Sequence, residues 1–240
     1  MTEDEIKDGF RHAMRRLATT IALIELALAA GGFGIGTGEF VIMGLLPEVA
    51  QTYGVTVPQA GHVISAYALG VVIGAPIIAA LAAKLPRKTL LLLLMGLFAI
   101  GNFASALATE FSSLTLLRFI TGLPHGAYFG VAALVAASMA PPNRRVRAVG
   151  RVMLGLTIAT LVGTPIATFL GQLMSWRAAF LMVGAIGAVT VVLIALYLPK
   201  DKVAEGASIR RELGAFPRFT LREENALHLD LLTLRAQAGR

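Results

Sequence analysis

Uncharged or nearly uncharged runs of about 20 residues recur along almost the whole of this chain, each long enough at 1.5 Å per residue to cross roughly 30 Å of hydrocarbon. Six such runs fit, at about 18–46, 60–83, 89–108, 113–139, 152–174 and 178–198. A segment inside lipid must satisfy its backbone polar groups internally, so all six are predicted to be helices. The connections between them are short and carry breakers or charge: PEVAQTYGVTVP (47–58), KLPRK (84–88), ATEFSS (108–113), PPNRRVR (141–147) and SWR (175–177). Such links make consecutive spans antiparallel neighbours. With 56% apolar and 15% charged residues and a mean hydropathy of +0.75, the 240-residue chain is far from the roughly 25% charge of soluble domains, which excludes a soluble globule. The organisation expected is a cytoplasmic segment 1–17, a membrane domain 18–198 and a cytoplasmic tail 199–240.

The net charge of +7 would in a soluble protein suggest nucleic acid as a partner. The positions of the charges argue otherwise. Lys and Arg number four before the first span, none in 47–59, three in 84–88 and none in 108–113. Four more follow at Arg144, Arg145, Arg147 and Arg151, then Arg177 alone, then eight after the sixth span. The excess therefore alternates from one face to the other. The positive-inside rule places both termini and the second and fourth loops in the cytoplasm, and an even number of spans agrees. The second and third spans join through a tight loop on one face and the fifth and sixth through an equally tight loop on the other, as two inverted three-helix repeats would. There is no cysteine, and no nucleotide-binding, zinc-protease or serine-hydrolase motif, so neither an enzyme nor a cofactor is expected.

Ionisable groups inside spans cost about 2.5–3.5 kcal/mol each at mid-helix and are read as functional by default. Glu25 and Glu39 lie in the first span and Arg118 in the fourth. Glu39 and Arg118 both fall toward the outer ends of their helices, so a pair between them is possible, and Glu25 with Arg118 less so. Glu25, about 10 Å from the cytoplasmic end by the helical rise, is placed to exchange a proton. In RFITGLPHGAYFG (118–130), Arg118, Gly122, His125 and Gly126 share one stripe, and Gly122, Gly126 and Gly130 offer a packing face. His125, near mid-membrane, could carry a proton or bind substrate. The first span holds five glycines between Gly31 and Gly38, suited to close packing or to a bendable cavity-lining helix. Gly163 and Pro165 are expected to bend the fifth span. Thr37, Asn102 and His125 are the hydrogen-bonding candidates for a substrate cavity.

These motifs together resemble the amino-terminal half of a major facilitator superfamily transporter, in the twelve-span drug and sugar efflux branch that includes arabinose-efflux-permease-like proteins. The resemblance runs from about residue 17 to 213 and rests on GEFVIMGLLPEVA (38–50), RFITGLPHGAYFG (118–130) and SWRAAF (175–180). Arg118 stands where that family has an arginine implicated in proton transfer. The family's second-loop motif is similar to AALAAKLPRK (79–88), where Lys84, Arg87 and Lys88 remain but Ala83 replaces the usual aspartate. Gly163-Thr164-Pro165 is similar to its antiporter motif. The basic stretch 200–213 is like the family's central loop, whereas 214–240 has no further apolar run and does not resemble it. Leu227, Leu231 and Leu234 could line an interfacial helix there, or the tail reflects a frameshift or truncation.

The resemblance implies half of a major facilitator fold in the inner membrane. It implies proton-coupled antiport of a small molecule such as a sugar or drug by alternating access, with Glu25 or Glu39 trading a proton beside Arg118. The partners implied are the lipid bilayer, protons, a small-molecule substrate and a second copy or a missing six-span half. The alternatives are a non-transporting membrane fragment, a homodimeric half-transporter and a scaffold for another transporter.

Overall fold

The structure is a computed structural model that describes residues 3–82 and 85–199. The first helix, α1 (Glu3–Phe40), begins well before the first apolar run, so the basic head is helical and continuous with the span from residue 3 onward. A tight 3-10 turn (Val41–Leu45) leads into α2 (Leu46–Tyr53). The loop expected at 47–58 therefore shrinks to a few residues. Pro47 falls in the first turn of α2, where its missing N–H has no helical partner to lose. The stop comes at Gly54, whose φ of 65° is left-handed backbone that glycine adopts without a steric penalty. Thr56 then caps the short α3 (Val57–Ala60) in a reciprocal box with Gln59.

The second span is α4 (His62–Ala82) and the third is α5 (Arg87–Ala106). The fourth comprises α6 (Phe111–Gly122) and α7 (Pro124–Met139), interrupted at Leu123 because Pro124 has no N–H for the ladder. The fifth comprises α8 (Arg145–Ile158), a π turn (Ala159–Gly163) and α9 (Thr164–Leu173). In that turn the Thr164 N–H donates to the Ala159 carbonyl, one residue beyond the α register. The widening falls directly before Pro165. The sixth span is α10 (Trp176–Tyr197). Six helical stretches are long and apolar enough to cross a membrane, and the described residues are helical with short turns.

The first span packs on the fifth and sixth, the second on the fourth, the third on the sixth and the fourth on the third and fifth. Exchanging spans one, two and three for four, five and six maps the main neighbour pairs onto one another: one with five becomes four with two, and one with six becomes four with three. These pairs are consistent with a repeat of three helices. The glycine run of the first span is a continuous helix packed on several sides. A Cβ at Gly31 would overlap Tyr128 of the fourth span, and one at Gly36 would press on Leu156 and Ala159 of the fifth. Close packing is thus the role these residues play here.

Two apolar cores fill the bundle. One centres on Leu28, Leu91, Phe98 and Tyr128, and the other, near the end that carries the first loop, on Leu45, Val49, Leu114 and Phe180. At that end the Arg177 guanidinium donates to the Ala108 carbonyl at 2.7 Å and lies 4.3 Å from the Trp176 ring. Tyr53 Oη donates to the same carbonyl at 2.9 Å, and Trp176 Nε1 donates to Thr52 Oγ1 at 3.0 Å. Three loops are thereby held together. At the opposite end Lys88 Nζ donates to the carbonyls of Ala195 and Leu198, capping the sixth span with a cation where its dipole favours one.

Candidate functional site

The site depends on how closely the second and fourth spans approach. A Cβ at Gly70 would fall on the Phe119 carbonyl oxygen, and one at Gly122 on that of Tyr67. The absence of side chains at these two positions lets the backbones touch. Tyr67 is consequently set against Arg118, with the guanidinium carbon 4.3 Å from the ring centroid, and the Phe180 ring of the sixth span lies 5.4 Å from the same carbon. Gly130, one turn beyond Gly126, faces open space, so the glycine stripe packs over only part of its length.

Arg118 has no exposed surface. Its Nη2 donates to the Gly38 carbonyl at 3.0 Å, while Nε and Nη1 have no hydrogen-bond partner among the described residues. A buried cation is normally paired and fully hydrogen-bonded. Two aromatic faces and one carbonyl replace water only in part. Next along the cluster, Tyr67 Oη lies 3.1 Å from His125 Nδ1, and that nitrogen lies 3.8 Å from Glu39 Oε2. Either group can be the donor in the Tyr67–His125 contact, according to the imidazole tautomer. Glu39, His125, Tyr67 and Arg118 thus form a contiguous polar path from the partly exposed first-span carboxylate to the sealed guanidinium. A carboxylate, an imidazole and a phenol in series are groups able to hold and pass a proton.

Glu39 and Arg118, both expected here from the sequence, share the site but not by the direct pair considered above. Arg118 donates to the carbonyl of the residue before Glu39 and not to its carboxylate, and the carboxylate is nearest His125. Glu25 lies elsewhere. Its Oε2 accepts from Arg151 Nη1 at 2.9 Å, so a residue counted as a loop charge in the sequence is an ion-pair partner at the other end of the first span. Thr37 and Asn102 have no exposed surface and line no open cavity in this conformation. Thr37 packs against Gly163 of the fifth span, and Asn102 Nδ2 donates back to the Phe98 carbonyl at 2.8 Å. Lys84 lies outside the described residues, as does everything expected of the tail from residue 200 onward. Arg87 begins the third-span helix, and Lys88 caps the sixth. No group of three His, Asp or Glu side chains that could hold a metal occurs among the described residues.

Tyr67 and Phe180 were not identifiable from the sequence. Each is one aromatic residue in an apolar run, with no charge to single it out.

The family model of the Major Facilitator Superfamily matches residues 28–235, continuing beyond residue 213, where the motif resemblance stops. The inner membrane transport protein YdhP of Escherichia coli K12 is 42% identical over 193 residues, which are 80% of this chain and 50% of that protein. The "Probable sugar efflux transporter" of Helicobacter acinonychis is 32% identical over 180 residues, 75% of this chain and 46% of that protein. This chain therefore spans about half the length of the curated relatives it matches. Among solved structures, the partially occluded inward-open xylose transporter XylE of E. coli superposes with a TM-score of 0.68 at 18% identity, over 76% of this chain and 49% of that one. At that identity the likeness concerns the fold alone. Six apolar helices, the fold shared with XylE and a family match over most of the sequence lead to one assignment: the chain belongs to the Major Facilitator Superfamily of membrane transporters.

Proposed function

We propose that this chain supplies a six-span half of a proton-coupled exporter of the inner membrane, with both termini cytoplasmic, and that Glu39 is its proton-exchanging carboxylate. The observation that carries this reading is the path Glu39–His125–Tyr67–Arg118, which runs from a partly exposed carboxylate to a buried guanidinium. Proton coupling needs a group whose charge changes inside the bundle and a neighbour that makes the change matter. Glu39 is that group, and the fixed cation of Arg118 is bonded to the carbonyl of the residue preceding it, close enough to act on it electrostatically. A proton arriving at Glu39 removes a negative charge beside a guanidinium already short of partners, and this alters the balance between conformations. Glu25, held by Arg151, serves the cytoplasmic end instead. Export of a sugar or amphipathic drug accords with the efflux named for one relative.

The test is pH-gradient-driven uptake of a sugar or amphipathic dye into inside-out vesicles from cells expressing the chain. Uptake is expected with the native sequence and expected to be lost in Glu39→Gln. Equal uptake in Glu39→Gln would overturn the assignment of that residue.

A second reading follows from the chain spanning about half of its relatives. Transport then requires two six-span units, and two copies of this chain related by an axis along the membrane normal would satisfy the shared orientation. Crosslinking in native membranes separates the cases. A defined dimer supports the paired reading, and a monomer without gradient-driven uptake supports a non-transporting half.

A further inference from the structure

Between the beginning of the first span and the turn joining the fourth and fifth lies a pocket of about 210 Å³. Its polar lining is Glu25, Arg144, Arg147 and Arg151, and its apolar wall includes Ile21 and Met139. The arginines follow one another at offsets of three and four, which brings them to one side of the start of α8. Only Arg151 is engaged by the carboxylate, at 2.9 Å. Arg144 and Arg147 are exposed and make no ion pair among the described residues. The helix begins at Arg145 with no side-chain cap, so its first N–H groups add partial positive charge at the same end.

Three guanidinium groups against one carboxylate leave the pocket strongly cationic. It also sits where the apolar stretches of the fourth and fifth spans terminate, a position that a bundle crossing the bilayer would hold near the headgroups. We propose that it binds the phosphate group of an anionic phospholipid, gripped by Arg144 and Arg147, with the start of an acyl chain along the Ile21 and Met139 wall. Guanidinium donors match phosphate oxygens in pairs, and basic pockets between helix ends are suited to acidic headgroups. Free phosphate offers the same oxyanion but makes no use of the apolar wall.

The experiment is thermal unfolding of the purified full chain in detergent, titrated with phosphatidylglycerol, phosphatidylcholine or glycerol phosphate. Phosphatidylglycerol is expected to raise the midpoint at concentrations where phosphatidylcholine and glycerol phosphate do not. In R144A/R147A, and in R144Q/R147Q as a second form, the apparent affinity for phosphatidylglycerol should fall about tenfold or more. R145A removes an exposed arginine outside the pocket and should leave the affinity unchanged. An equal response to phosphatidylcholine overturns the proposal, as does an undiminished response in both double variants or an equal loss in R145A. A response to glycerol phosphate matching that to the lipid overturns the lipid assignment in favour of a free-phosphate site.

Discussion

Arg118 is the residue that a purely structural account explains least well, because it is fully buried with two nitrogens lacking partners. Replacing buried ionic groups by apolar side chains of similar volume is often neutral, or stabilising by about 1–4 kcal/mol, when no paired charge is left behind, and Arg118 is bonded to a backbone carbonyl and not to a carboxylate. Arg118→Met should therefore leave the thermal midpoint in detergent unchanged or higher while abolishing gradient-driven transport. A midpoint lowered by several degrees would instead make Arg118 a structural residue. Tyr67→Phe removes only the hydroxyl contact with His125 and should lower stability by about 1 kcal/mol. Tyr67→Ala also removes the ring beneath Arg118 and should cost more in the same unfolding assay. Glu39, Arg118 and His125, which the structure brings into one cluster, stand out in the sequence because an ionisable group inside an apolar span is costly enough to need a reason, and Glu25 stands out on the same ground but lies elsewhere. Their partners were not. Which side chain meets Glu25 or Arg118 is decided by contacts between spans far apart in sequence, Arg151 with Glu25 and Tyr67 and Phe180 with Arg118, and no local pattern encodes those.

Among the elements, the contact between the second and fourth spans sets the geometry of the whole cluster. Gly122→Leu should force those backbones apart and destabilise by about 1–3 kcal/mol or more, read as a lowered thermal midpoint. Gly130→Leu, on the same helix but facing open space, should change the midpoint little. Equal effects would show that glycine content matters and the contact does not. All six spans could be read from length and apolarity, since lipid leaves a segment few other choices. Their ends and interruptions were less legible. The helical path passes Pro47 and stops at Gly54, because proline is tolerated in a first turn and a left-handed terminus is not demanded until later. The interruption at Leu123 and the π turn before Pro165 each depend on neighbouring helices accommodating displaced backbone, which proline alone does not specify.

For the whole molecule, the alternation of basic loops makes a prediction about sidedness that the absence of cysteine renders easy to test. Single substitutions R145C and S175C, treated with a membrane-impermeant thiol reagent, should label from the cytoplasmic and the outer face respectively. The reverse pattern would refute the orientation. The neighbour pattern is consistent with the repeat expected from the loops, and such a pattern constrains neighbours and directions more than residue identities. Proton exchange at Glu39 can be tested on this chain without a transport assay. Reconstituted in lipid and examined by pH-difference infrared spectroscopy, the chain should give a protonated-carboxyl band that disappears in Glu39→Gln and persists in Glu25→Gln. A band that persists in Glu39→Gln, or that is lost only in Glu25→Gln, would contradict the assignment of Glu39 as the proton-exchanging group.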